Sequence, residues 1–127
     1  MSRTTVRVLG IVDQPYRGVV ERSYADCLYL ARVLNAQLGD LDLLLRGEAV
    51  FIATRTALEG EQVDGEAGTS LAAGLRDLLT DGVDVRADAD DLQRLGVPVD
   101  ALVDGVRAAP AEETTQRWPH YDAVWFL

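Results

Sequence analysis

Three arginines, Arg17, Arg46 and Arg86, stand at successive junctions where an apolar extended run gives way to the next segment, and a guanidinium there is suited to hold a small anion such as a thiosulfonate. Separate surface arginines are the plain alternative. The first junction, Asp13-Gln14-Pro15-Tyr16-Arg17-Gly18, sits where a nucleotide-binding fold carries its phosphate loop, yet it matches neither G-x-G-x-x-G nor G-x-x-x-x-G-K-[ST]. With one glycine its backbone cannot wrap a diphosphate. Two readings are left: an anion or partner site made by Arg17 and the next helix N-terminus, or a Pro-initiated turn with an exposed Tyr16. Asp88, Asp90 and Asp91 lack the alternating ligands, central Gly and distant Glu of a calcium loop. They read as the first turn of a short helix, where carboxylates meet free N–H groups.

The single cysteine, Cys27, has no partner for an internal disulfide, and with the single histidine, His120, it makes no zinc cage. No metal and no cofactor is expected. Cys27 falls in an apolar helical stripe, where burial raises a thiol's pKa, so it reads as a small packed hydrophobe rather than a nucleophile. No Ser or Cys is identifiable by spacing as a triad partner for His120. The candidate binding rim is therefore Asp13, Tyr16, Arg17, Gly18, Arg46, Arg86 and Asp88, with no catalytic residue assigned.

The elements that would position this rim are legible from periodicity. Val6 to Val12 is a strand, and Val20, Tyr24, Cys27, Leu28, Ala31, Leu34 and Leu38 mark one face of a long helix ended by Gly39. Leu41 to Leu45 is a strand, Ala49 to Ala53 a short helix, and the polar, glycine-containing Thr54 to Thr69 a loop. Leu71, Leu75, Leu78 and Leu79 restore helical spacing until Asp81-Gly82 closes it before the strand Val83 to Arg86. A short helix ending at Gly96, an extended piece Val103 to Val106, a helix Ala111 to Trp118 stopped by Pro119 and a strand Tyr121 to Leu127 complete the chain. Alternating strands and helices predict a three-layer α/β sandwich with a mainly parallel sheet of about five strands. Ligands in such sheets sit beyond the carboxyl ends of the strands, which is where the candidate rim falls.

The 127 residues, 48% hydrophobic and 26% charged, predict one domain spanning 1–127 with a core that needs no metal or disulfide. Twelve basic residues, all arginine, against 21 acidic ones give a net charge of −9, which argues against nucleic-acid binding. Arg3 and Arg7 interrupt the apolar N-terminal run, and no stretch approaches the roughly 20 apolar residues of a membrane span. A soluble, cytoplasmic protein is expected.

The order of segments resembles the DsrE/DsrF/DsrH family of small sulfur-relay proteins, which includes the subunits of the TusBCD complex. The resemblance rests on Val6 to Gly18 with its Pro-Tyr-Arg-Gly turn, the helix Val19 to Leu38, LDLLLRGEAVFIA (Leu41 to Ala53), GVDVRADADDLQRLGV (Gly82 to Val97) and YDAVWFL at the C-terminus. The RLGV turn and the Tyr121-Asp122 pair place it nearest the DsrF/TusC-like subtype. The resemblance implies an oligomer and a part in moving persulfide sulfur, which carriers bear on a cysteine just after the strand here ending at Arg86. Arg86 or Ala87 stands there instead, and no thiol lies between Arg86 and Gly96. A guanidinium or methyl cannot replace a thiolate. The expectation is a non-catalytic subunit of intracellular sulfur relay or oxidation, assembling with itself or with a cysteine-bearing relative. An anion-binding or sulfur-transfer enzyme working at the strand ends is the competing expectation.

Overall fold

The computed structural model describes residues 6–13, 31–37, 39–55 and 71–127. The apolar runs β1 (Val6–Val12) and β2 (Gly39–Leu45) are buried from their third residue onward, and the shorter β3 (Asp84–Asp88), β4 (Val106–Ala109) and β5 (Ala123–Phe126) join them in one sheet. Every pairing is parallel, in the order β4-β3-β2-β1-β5. Register sets Leu45 opposite Val12 on one side and Ala87 on the other.

Strand order and crossover handedness decide which face each helix takes. From β1 to β4 the chain steps one strand at a time in a single direction, and right-handed crossovers put the intervening helices on one face. The passage from β4 to β5 runs back across the sheet, so its helix lies on the other face. On the first face Val8, Val12, Leu41, Leu43, Leu45, Val85 and Ala87 pack against Ala31 of the helical residues 31–37, Leu75 and Leu78 of the helix Leu71–Thr80, and Leu92 of the helix Ala89–Arg94. This is the main core. On the second face Leu9, Ile11 and Leu44 form a smaller cluster, with Tyr121 and Val124 against them. Among the described residues, the helix Ala111–Arg117 covers it without burying any residue of its own.

The structure moves several expected boundaries. The strand expected to end at Arg86 continues to Asp88, because its ladder to β4 runs on through Ala87 and Asp88. The extended piece expected at Val103 to Val106 is a turn over Asp104-Gly105, and the strand begins only at Val106. The helix expected through Trp118 ends at Arg117, and a 3-10 turn, Trp118–His120, holds Pro119 near its start, where no N–H is required. The short helix expected from Ala49 is a 3-10 segment, Gly47–Ala53. Gly47 opens it at φ +55, with the Asp13 carbonyl oxygen 3.0 Å from where a Cβ would stand. Most of the expected helix Val19 to Leu38 and of the loop Thr54 to Thr69 lies outside the described residues.

Candidate functional site

Among the described residues at the carboxyl ends of the strands, the charged side chains are held by one another and by backbone N–H groups. Asp13 and Arg46 meet at 3.2 Å beyond β1 and β2. Asp88 caps the helix Ala89–Arg94, its Oδ1 accepting from the N–H of Asp90 at 2.9 Å and of Asp91 at 3.2 Å. Asp91 in turn accepts from the Gly47 N–H at 2.7 Å and from Arg94 at 3.2 Å. Tyr16, Arg17 and Gly18 lie outside the described residues, as does Cys27. His120 is exposed in the 3-10 turn.

Arg86 does not join Arg46 on this rim. Alternation along β3 turns its side chain to the second face, where it is 5% exposed. There it donates to Asp84 Oδ2 at 2.5 Å. The expectation that Arg86 belongs to the binding rim is thereby corrected: position 86 is mid-strand, and the strand's last residue is Asp88. Burial opposes the guanidinium's charge, but the hydrogen bond to Asp84 and the charges of Asp84, Tyr121 and Glu113 together outweigh it, and Arg86 stays protonated.

Around Arg86 the second face carries a polar cluster that periodicity alone did not assemble. Asp42, directly beside Asp84 in the register of β2 and β3, is 9% exposed. Tyr121 donates to its Oδ2 at 2.5 Å, and Arg117 to the same oxygen at 3.3 Å. Arg7 lies over the Tyr121 ring, 5.9 Å from its centre. Leu9, Asp42, Leu43, Leu44, Arg86, Thr114, Arg117 and Tyr121 line a small, partly open cavity of about 10 Å³ between sheet and helix. Burial pushes the Asp42 carboxyl above the ordinary carboxylate range; donation by Tyr121 and the charge of Arg86 pull it down, while Asp84 and Asp40 push it up. Burial and donation to Asp42 also hold the Tyr121 hydroxyl well above its ordinary value. Both groups thus hold a proton more tightly than they would in water. Among the described residues no group of three or more His, Cys, Asp or Glu could hold a metal ion.

The cluster left a weak sequence signal. Asp42 interrupts an otherwise apolar strand, and Asp84 and Arg86 alternate with Val85, the pattern of a polar strand face. Glu113 and Arg117 gave none, because only the reverse crossover brings them there, and Arg107 reaches Arg86 through the register of β3 and β4.

The raised Asp42 pKa has a consequence for stability. Because the folded protein keeps this proton where the unfolded chain has released it, Asp42's contribution is greatest below its unfolded pKa near 4 and declines as pH rises through the folded value. Asp42→Asn should therefore gain stability relative to wild type as pH increases through that window. Urea unfolding at a series of pH values measures it, and a difference independent of pH would contradict the assignment.

The fold has solved counterparts. The YchN protein of E. coli superposes with a TM-score of 0.76 over 97% of this chain and 100% of its own length, at 23% identity. A protein of unknown function from Methanobacterium thermoautotrophicum, MTH1491, covers 96% of this chain and 99% of its own at a TM-score of 0.69 and 17% identity. No family model and no curated protein sequence matches the chain. The likeness is one of fold: an α/β architecture with a single five-stranded parallel sheet flanked by helices. No helix among the described residues is long and apolar enough to cross a membrane.

Proposed function

We propose that this chain is a non-catalytic DsrE/DsrF-like subunit of an intracellular sulfur-relay or sulfur-oxidation system, nearest the DsrF/TusC-like subtype. It assembles with itself or with a cysteine-bearing relative and carries no sulfur. The observation that supports this reading is the end of β3, where the resemblance places a carrier's cysteine. Here the run is Arg86-Ala87-Asp88, and each residue is already committed. Arg86 is buried against Asp84, Ala87 is fully enclosed in the core, and Asp88 caps the next helix. A thiolate nucleophile has no equivalent in this set.

Native mass spectrometry after incubation with a persulfide donor tests both halves of the proposal. The expected result is an assembly of more than one subunit, alone or with a cysteine-bearing relative, whose chains keep their unmodified mass. A stable gain of one sulfur atom on the folded protein would refute the non-carrier reading and turn attention to Cys27. A strict monomer that binds no such relative would refute the subunit reading. To restore a thiol at the strand end, the variant to make is Asp88→Cys rather than Arg86→Cys, since a thiol at position 86 would be shut into the second face.

A further inference from the structure

The geometry points to Arg86, Arg107 and Arg117 as an oxyanion site on the second face of the sheet, occupied in this structure by the carboxylate of Glu113 and taking a sulfate-like or carboxylate ligand when Glu113 leaves. One oxygen, Glu113 Oε1, lies 3.2 Å from Arg107, 3.7 Å from Arg86 and 4.0 Å from Arg117. The three guanidiniums come from β4, β3 and the covering helix. Three arginines from three elements facing one oxygen is more than a solvated helix glutamate requires, and it is the donor set that recognises a planar or tetrahedral oxyanion.

A second observation comes from inside the site. The Arg86 Nε is shielded from solvent and has no hydrogen-bond partner, in a side chain that lines the cavity together with Thr114 and Arg117. Buried donors are nearly always satisfied, so an acceptor is called for there. A ligand with several oxygens can satisfy that donor and replace the carboxylate at once, whereas Glu113 is held through Oε1 alone in all three pairs. Asp84 and Asp42 remain with Arg86 and Arg117, so exchanging Glu113 for a carboxylate leaves the local charge unchanged, and exchanging it for sulfate adds one negative charge facing three guanidiniums.

Access is provided by the fold. β4 is an edge strand, Arg107 is 57% exposed and Glu113 32%. The helix Ala111–Arg117 rests on ion pairs and contributes no buried residue, so tilting it away forfeits little apolar contact. Glu113 thus acts as a tethered competitor, and its removal should raise affinity for a free oxyanion. The inference does not depend on the sulfur-relay reading.

Calorimetric titration with sodium sulfate at constant ionic strength tests it, using wild type, Glu113→Gln and Glu113→Gln with Arg107→Ala. Glutamine sustains a helix about as well as glutamate, so the fold is retained. The expected result is one sulfate per chain bound by Glu113→Gln at least about tenfold more tightly than by wild type, the scale set by a millimolar tethered competitor. Adding Arg107→Ala should remove that gain. Equal affinity of wild type and Glu113→Gln, or no binding by either, would overturn the proposal. So would a gain that survives Arg107→Ala, which would place the anion elsewhere.

Discussion

Replacing Leu45 by alanine is expected to destabilise the protein by about 2–5 kcal/mol, read as a shift in the urea midpoint with unchanged slope. Leu45 is fully buried at the carboxyl end of β2, set by register between Val12 of β1 and Ala87 of β3. These strands are held by ladders on both sides and the helices over them are packed on the same core, so the surroundings have little freedom to collapse. The loss therefore combines the transfer free energy of the missing atoms with the residual cavity. A cost below about 1 kcal/mol would mean that the first face is loosely packed, contrary to its enclosed strands.

Asp84→Ala is expected to cost about 3 kcal/mol, because it leaves the Arg86 guanidinium shut in without its close partner. The Arg86 side chain is 7% exposed, and the nearest remaining carboxylate, Glu113, is 3.7 Å away. Asp84 is itself 35% exposed, so the intact pair is partly screened and the figure belongs to the charge left behind rather than to the bond removed. Adding Arg86→Met to Asp84→Ala removes that charge and keeps most of the buried stem, so the double variant should be more stable than Asp84→Ala alone. Denaturant unfolding of both variants measures the coupling. If the double variant were the weaker of the two, Arg86 would not be a buried charge dependent on Asp84.

Periodicity and composition by themselves determined the class of this protein. The alternation of apolar extended runs with helical spacing prescribes a parallel α/β sheet, because parallel strands need crossovers and each crossover here has its helix. Local chemistry was also readable: the Asp88 cap depends only on residues one turn away, and so does the closure at Asp81-Gly82, where Gly82 takes a positive φ. Boundaries moved where a neighbouring strand extended or cut short a ladder, as at Ala87 and Asp88, since pairing is a property of two segments and neither contains it alone. The grouping of charges was decided by tertiary structure. Arg17, Arg46 and Arg86 share a sequence context at strand junctions, yet Arg46 pairs with Asp13 while Arg86 faces the other side of the sheet with Asp84 and Glu113. Glu113 is far from Arg86 along the chain. They meet because the last crossover must run back over the sheet to reach the free side of β1, which sets one charged helix on a face that carries only a small apolar cluster of its own.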